Sequence, residues 1–235
     1  MNALVIGGTS GFGKEISDIL FEKGYNLITI SRSVSGYTQC PHYYCDVGDE
    51  NKWFETLQKI KTTHISLDFL ACIVGYAKAK SSKNLKLEDW DQAFSKNVTY
   101  VAFALQELRD LLIETNSPKA ITIGSQWSYK IGCDELVPYT VSKHALRTMT
   151  EDFSQRNPQI KINHYCVPTM DTPGYWMVKE SFRNTGQELT INKFTPNGLA
   201  DPKIVAKSII NHIIYTNLTG QTFVIKPNGE IEELK

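Results

Sequence analysis

The sequence has few of the features that mark secreted or membrane-spanning proteins. Its 235 residues include five cysteines, an odd number without regular spacing, which excludes a disulfide framework and indicates reduced thiols. No stretch approaches the ~18 consecutive apolar residues that a membrane-spanning helix needs. The chain passes from Met1 directly into an apolar run at residues 3–6, without the basic region of a signal peptide. We therefore expect a cytoplasmic protein with no membrane partner.

An excess of positive charge is also missing. Lys and Arg together number 25, as do Asp and Glu, so the formal net charge is zero, which argues against a nucleic-acid partner. A near-neutral surface offers little electrostatic resistance to self-association. Cys40, His42 and Cys45 lie close together, but their spacing matches no standard zinc pattern. A metal site is not predicted.

Short apolar runs alternate with segments of helical periodicity along the whole chain. This alternation predicts βαβ units in one doubly wound α/β domain over residues 1–235, with a mostly parallel sheet of about seven strands and helices on both faces. Residues 168–200 carry three prolines and no clear periodicity, so they are predicted to form a substrate loop or lid. The predicted strands cover residues 3–6, 27–30, 43–45, 67–74, 120–123, 160–167 and 222–225, and the main helices cover residues 50–61, 90–112, 139–155 and 202–215.

A glycine-rich segment lies between the first predicted strand and the helix that follows it. Glycines permit positive φ and let the backbone approach a pyrophosphate, while a helix N-terminus offers free N–H groups and a partial positive charge. The position of the segment after a strand and before a helix is what makes its glycines informative. The candidate cofactor-binding residues in it are Gly7, Thr9, Ser10, Gly11, Phe12 and Gly13.

Tyr139 and Lys143 are four residues apart in a predicted helix, so their side chains share one face. The unperturbed pKa of a phenol is about 10, and a nearby ammonium favours phenolate. The pair is therefore a candidate general acid–base. Taken alone the spacing is common by chance, and its meaning depends on the upstream glycine segment.

Together, the Gly7-Gly11-Gly13 spacing and the Tyr139–Lys143 pair resemble the short-chain dehydrogenase/reductase family over nearly the whole chain. The resemblance implies a Rossmann-type fold and NAD(P)-dependent oxidoreductase activity. It further implies that Ser125, at the end of the fifth strand, holds the reacting oxygen. Asn97 corresponds to the family's catalytic asparagine, which links the lysine to solvent through water.

The same resemblance implies further cofactor contacts. Asp46 and Val47 match the pair that the family places against the adenine, and Pro168 and Thr172 match the segment beside the nicotinamide carboxamide. Gly75 is the last residue of Cys72-Ile73-Val74-Gly75, where many members have Asn-Asn-Ala-Gly. The sequence also departs from the family at Pro168-Thr169, where Pro-Gly is common.

The residues after the second strand bear on the choice of cofactor. An acidic side chain there would bind the ribose 2′-hydroxyl of NAD, whereas an arginine accommodates a 2′-phosphate. Residues 30–36 contain no Asp or Glu and include Ser31, Arg32 and Ser33. We therefore expect NADP(H) to be preferred, with NAD(H) possible.

Taken together, these features predict an NADP(H)-dependent reductase or dehydrogenase that interconverts a carbonyl and a secondary alcohol, with Tyr139 as general acid–base. Two alternatives are an epimerase or dehydratase that uses the cofactor transiently and a non-catalytic NADP(H)-binding sensor. With only about 35 residues after Ala200, there is little room for the larger substrate region of the former. Sensors of this kind tend to lose the proton-transfer residues, which are present here.

Substrate contacts are less defined by sequence. Trp127 and Tyr129 could form a wall of the substrate pocket, and Tyr175, Trp176 and Phe182 could close over it. Charged residues in the same loop, Lys179, Glu180, Arg183 and Glu188, fit medium-sized polar carbonyl compounds. By resemblance, the protein is expected to form a homodimer or homotetramer.

Overall fold

The computed structural model describes residues 1–33, 40–186, 195 and 198–235. One eight-stranded sheet is flanked by helices on both faces. The strands are β1 Asn2–Ile6, β2 Asn26–Ser31, β3 His42–Tyr44, β4 Phe69–Cys72, β5 Lys119–Ser125, β6 Lys161–Val167, β7 Thr222–Ile225 and β8 Ile231–Glu233. The helices are α1 Gly11–Glu22, α2 Glu50–Thr63, α3 Leu87–Phe94, α4 Tyr100–Ile113, α5 Val137–Arg156, α6 Pro173–Asn184 and α7 Pro202–Tyr215.

The strand order is β3-β2-β1-β4-β5-β6-β7-β8, and β1 to β7 run parallel. The chain winds outward from β1 to one edge, then returns and builds the other half from β4. The order therefore reverses between β1 and β4, and a crevice opens beyond their carboxyl ends. Ligands of open parallel sheets bind in such a crevice. The strand order confirms the predicted doubly wound α/β architecture.

Alternation of side chains along the strands gives the sheet its two apolar faces. In β1, Ala3 and Val5 pack towards α1 and α7, whereas Leu4 and Ile6 pack towards α2, α4 and α5. All four side chains are almost fully buried. Central parallel strands covered on both faces are expected to be apolar throughout, as these are.

The eighth strand was not predicted from the sequence. β8 pairs antiparallel with β7 through a tight turn in which Gly229 has φ of 86°. Asn228-Gly229 is a common hairpin signal, and positive φ is accessible to glycine at little cost. A three-residue strand was too short to give a pattern of its own.

The predicted lid segment contains a helix. Helix α6 begins at Pro173, a position where proline is tolerated because that N–H lacks an intrahelical partner. Thr172 caps it by accepting a hydrogen bond from the Tyr175 N–H at 3.4 Å. The prediction of an irregular segment is wrong for residues 173–184, which form this helix. Its role as a substrate lid stays a prediction. Residues 187–194, 196 and 197, with the predicted contact residue Glu188, lie outside the described residues.

The predicted long helix at residues 90–112 is instead three segments. Helices α3 and α4 are joined by a π-helical turn at Ser95–Thr99. Such turns insert one residue into the helical repeat and so change the direction of a side chain. Here the turn carries Asn97, which is fully buried.

Two features are missing from the described part of the chain. No helix there combines the length and apolarity needed to cross a lipid bilayer. Among the same residues, no three His, Cys, Asp or Glu side chains come together in a way that could bind a metal ion. All five cysteines are free thiols.

Candidate functional site

A cleft of about 260 Å³ lies beyond the carboxyl ends of the central strands. It is open on one side and runs from the start of α1 to the start of α6. The sequence-predicted site residues that line it are Phe12, Gly75, Ser125, Tyr139, Lys143, Pro168 and Thr172. Residues from five separate parts of the chain thus meet at the point where the sheet topology predicts a ligand.

The glycine segment forms a tight turn from β1 into α1. Gly7 and Gly11 have φ of 86° and 50°, values that favour glycine. A side chain on Gly13 would overlap the Gly7 carbonyl oxygen, so the turn closes only around a residue without Cβ. Ser10 is the N-cap of α1, but its side chain makes no capping bond, and the first turn has no acidic residue. The N–H groups at this end of α1 are therefore suited to an anionic ligand such as a pyrophosphate.

Three hydroxyl groups cluster beside this turn. The Thr9 hydroxyl lies 2.7 Å from Ser31 Oγ and 2.9 Å from Ser33 Oγ, and the Ser31 hydroxyl donates to the Ser33 carbonyl at 2.8 Å. Arg32 is exposed, and its Nη1 lies 3.6 Å from Asp46 Oδ2. The structure thus pairs two predicted cofactor contacts with each other, one cationic and one anionic.

The residues after β3 are held by local contacts. Asp46 Oδ1 accepts a hydrogen bond from the Gly48 N–H at 2.9 Å, which fixes the turn into α2. Val47 is half-buried against the apolar cluster formed by α2, α4 and α5. Neither Asp46 nor Val47 lines the cleft, so their predicted contact with an adenine stays a prediction.

Tyr139 and Lys143 extend from the first turns of α5 towards the end of β5. The Lys143 Nζ donates a hydrogen bond to the Ile123 carbonyl at 2.8 Å and lies 5.8 Å from the centre of the Tyr139 ring. Ser125, at the end of β5, has its side chain within hydrogen-bonding reach of the Tyr139 phenol. Its hydroxyl oxygen also accepts from the Trp127 N–H at 3.4 Å. This leaves the Ser125 proton available to a neighbouring oxygen.

Burial changes the acid–base properties of this pair. It raises the pKa of Tyr139 to about 12, and the hydrogen bond from Ser125 opposes that shift. Burial lowers the pKa of Lys143 to about 8, because the ammonium is only 3% exposed. The expectation that Lys143 draws the phenol pKa downward is not met here, since desolvation is the largest influence on both groups.

Asn97 lies behind the cleft and does not line it. Its Nδ2 donates to the Tyr76 carbonyl at 2.9 Å and to Ser142 Oγ at 2.8 Å, and its Oδ1 accepts from the Tyr76 N–H at 2.7 Å. The Ser142 hydroxyl in turn donates to the Tyr139 carbonyl at 2.8 Å. Asn97 therefore joins the loop after β4 to the helix that carries Tyr139. Its predicted link from Lys143 to solvent stays a prediction.

Residues behind Ser125 were missed by sequence reasoning. No motif in the sequence groups His164 with the site, yet its ring lies fully buried against Ser128, Thr122 and the end of β5. Ser128 in turn accepts from the Ser125 N–H at 3.1 Å. The available signal was a histidine within a buried strand, although its neighbour Asn163 is buried and polar as well.

Aromatic side chains form the outer wall of the cleft in part as predicted. Trp127 and Tyr175 line it, together with Leu136, Met170 and Val178. Three other predicted contacts lie elsewhere: Phe182 is fully buried beneath α6, Trp176 is half-exposed on its outer side, and Tyr129 is outside the lining. The charges of α6 face away too, with Lys179 over the Trp176 ring and Arg183 paired with Glu180.

Comparison with known proteins agrees with this geometry. Residues 1–182 match the family model described as short chain dehydrogenase. Carbonyl reductase family member 4 of Xenopus laevis is 24% identical over 233 residues, which cover 94% of this chain and 94% of that relative.

Solved structures share the fold. Aldohexose dehydrogenase of Thermoplasma acidophilum has a TM-score of 0.82 at 20% identity, covering 96% of this chain and 92% of its own. An actinorhodin polyketide ketoreductase solved with NADPH has a TM-score of 0.83 at 20% identity, covering 97% of both chains. At 20% identity these two structures show that the fold is shared and nothing further.

The glycine turn yields a first prediction. Gly13→Ala places a methyl group against the Gly7 carbonyl and forces the turn open, so we expect the affinity for NADPH to fall at least about tenfold, as loss of one charge-assisted hydrogen bond would produce. Fluorescence titration with NADPH measures this.

Gly24→Ala is the matched control, at the other end of the same helix. Unlike Gly13, Gly24 has positive φ, and a side chain there meets no atom within 4 Å. This change should lower stability by about 1 kcal/mol through backbone strain and leave NADPH affinity unchanged. Equal loss of affinity in both variants would contradict a specific role for the turn.

Proposed function

Because the chain belongs to the short-chain dehydrogenase family, we propose that it is an NADP(H)-dependent oxidoreductase that interconverts a carbonyl group and a secondary alcohol. The family match confirms the resemblance predicted from the sequence. The matched relatives are reductases and dehydrogenases, so oxidoreductase activity is the general expectation. The cofactor preference, the catalytic roles and the substrate are the proposal.

The observation that carries this proposal is the meeting of Ser125, Tyr139 and Lys143 in one cleft beside the glycine turn. A phenol, a hydroxyl and an ammonium at the carboxyl edge of a parallel sheet can move one proton to or from a substrate oxygen. The adjacent turn has uncapped N–H groups that suit a dinucleotide pyrophosphate. A non-catalytic NADP(H)-binding sensor would need only the glycine turn and not these three side chains.

The residues present fit a dinucleotide along the crevice between β1 and β4. The segment Gly7 to Gly13 would hold the pyrophosphate, including Thr9, Ser10, Gly11 and Phe12. Ser31 and Arg32 would bind the 2′-phosphate, Asp46 and Val47 the adenine, and Gly75, Lys143, Pro168 and Thr172 the nicotinamide half. When bound, the nicotinamide supplies or accepts the hydride.

In this proposal Tyr139 exchanges the proton and Ser125 orients the reacting oxygen by donating a hydrogen bond. A phenol whose pKa is raised to about 12 is protonated at neutral pH, so it carries the proton that carbonyl reduction needs. A neighbouring positive charge that lowers this pKa would make the phenol a better proton donor. Lys143 would stabilise the phenolate that forms.

The lining of the cleft supports a neutral, largely apolar carbonyl compound. Among the described lining residues, Lys143 is the only charged one, and Trp127, Leu136 and Tyr175 surround the space near Ser125. The charges of α6 that suggested polar substrates face away from this space.

We also expect the protein to act in the cytoplasm as a homodimer or homotetramer.

A second prediction tests the proton donor. Tyr139→Phe should lower kcat for carbonyl reduction by at least about 100-fold, because general acid catalysis contributes that much or more. Stopped-flow or steady-state assays at the nicotinamide absorbance measure it, with NADPH affinity expected to stay within about twofold. Tyr215→Phe, an equivalent change on an exposed side chain, should leave kcat unchanged. Wild-type turnover in Tyr139→Phe would overturn the assignment.

A third prediction tests the cofactor. Arg32→Ala should weaken NADPH binding about tenfold and leave NADH binding unaltered, because only the former carries a 2′-phosphate. Arg156→Ala removes another exposed arginine that is paired with an aspartate, on the outside of α5, and should change neither affinity. A wild-type protein that prefers NADH would refute this use of Arg32.

A fourth prediction concerns pH. The phenol of Tyr139 stays protonated at neutral pH, so kcat/KM for reduction should be nearly constant from about pH 6 to about pH 7. Above that it should fall as Lys143, whose pKa is lowered to about 8, loses the proton that stabilises the phenolate. Oxidation of the alcohol needs phenolate, whose fraction rises about tenfold per pH unit below the pKa, and should climb steeply over the same range. Measured profiles in both directions test this. A tenfold rise of the reduction rate with pH would contradict it.

A further inference from the structure

A buried chain of hydrogen bonds leads from the Ser125 backbone into the core between β5, β6 and α5. Ser128 Oγ accepts from the Ser125 N–H at 3.1 Å and lies 3.1 Å from His164 Nε2. On the other side of the ring, His164 Nδ1 lies 2.9 Å from Thr122 Oγ1, which is 2.8 Å from Thr150 Oγ1. Ser128, His164, Thr122 and Thr150 are each at most 1% exposed.

The direction of every proton in this chain follows by elimination. The Thr150 hydroxyl donates to the Leu146 carbonyl at 2.8 Å, so it can only accept from Thr122. Thr122 has then used its one proton and must accept from His164 Nδ1–H. A neutral ring protonated at Nδ1 has an acceptor at Nε2, so Ser128 must donate to it. Ser128 Oγ is left to accept from the Ser125 N–H.

The surroundings of His164 keep the ring neutral. Burial lowers its pKa well below the usual value, and the nearby cations Lys143 and Arg147 lower it further. The Cys166 thiol, also beside Ser128, is neutral because burial raises its pKa to about 11. A second cation beside Lys143 would be costly in this low-dielectric setting.

The backbone is adapted to this arrangement. A side chain on Gly124 would overlap both the His164 ring and the Ser128 hydroxyl, so the strand passes close by only because that position is glycine. Ser125 and Ser128 also cap one another across the turn after β5. The position of the Ser125 hydroxyl therefore depends on where Ser128 is held.

We propose that His164 and Ser128 are positioning residues that orient the Ser125 hydroxyl towards the substrate oxygen. The proposal rests on the proposed function, because Ser125 must act in the reaction for its orientation to matter. His164 Nε2 accepts a hydrogen bond from the Ser128 hydroxyl, which leaves the Ser128 oxygen free to accept from the Ser125 N–H. Neither residue touches the substrate.

Two substitutions of His164 test the two ring nitrogens one at a time, because each variant can replace the hydrogen bond of only one of them. His164→Asn retains a polar group near the Nδ1 position and loses the Ser128 contact, so kcat should fall about tenfold, as loss of precise orientation does. His164→Gln reaches the Nε2 position and offers an oxygen to Ser128, so it should recover part of that loss. NADPH affinity should be unchanged in both variants.

The control is Asn163→Ala on the same strand. Asn163 is equally buried, and its amide bonds the Leu218 carbonyl and the Gln221 N–H, away from the cleft. It should lower the melting temperature and leave kcat unchanged. An equal loss of kcat in Asn163→Ala and His164→Asn would show a general packing effect and overturn the proposal.

The decisive measurement repeats His164→Asn in a Ser125→Ala background. If His164 acts through Ser125, the second change should leave the residual kcat within about twofold, because coupled residues are not additive. A further tenfold loss would overturn the proposal. If His164→Asn does not fold, Ser128→Ala breaks the same link and should give the same pattern.

A spectroscopic test requires no turnover. Long-range ¹H–¹⁵N NMR of the wild-type protein at neutral pH should show His164 neutral and protonated at Nδ1. The Nε2–H tautomer would overturn the proposal. Absence of any carbonyl reduction in the wild type overturns the proposed function and this inference with it. If the wild-type protein reduces carbonyl compounds and His164→Asn has the same kcat, this inference alone is overturned.

Discussion

The burial of the Lys143 ammonium is the constraint on which the rest of the site depends. An isolated cation with 3% exposure would be strongly destabilising, so its hydrogen bond to the Ile123 carbonyl is required. That carbonyl belongs to β5, and α5 must therefore lie over the carboxyl end of the sheet in one register. The same register brings Tyr139 beside Ser125. The arrangement of these three side chains thus follows from the need to provide one buried charge with a hydrogen-bond acceptor.

Much of this arrangement could be predicted because its determinants are local. The glycine turn needs positive φ at Gly7 and Gly11 and no side chain at Gly13. The presence of glycine at all three positions can be read from the sequence. The Tyr139–Lys143 pair follows from helical spacing alone. The doubly wound fold follows from the alternation of strands and helices, and the fold prediction and the family resemblance are both confirmed. The roles of the individual residues stay predictions.

Features that depend on contacts between distant segments could not be predicted. His164 faces α5 only because β6 pairs with β5 in a register that sets it opposite Thr122. Asn97 reaches Tyr76 and Ser142 from a π-helical turn that no spacing pattern reveals. In each case the missing information is a tertiary register, which a periodic pattern does not contain.

The two buried bases of the site are linked by charge. In the proposed reaction Lys143 must hold a proton to stabilise a phenolate. Burial is the main reason that the pKa of His164 is lowered, and the Lys143 ammonium lowers it further. A neutral imidazole donates at one nitrogen and accepts at the other, whereas an imidazolium only donates. A charged Lys143 therefore adds to the effect of burial in keeping His164 able to accept from Ser128. In the proposed reaction, the ammonium that stabilises the Tyr139 phenolate thus also helps to preserve the hydrogen bonds that hold Ser125.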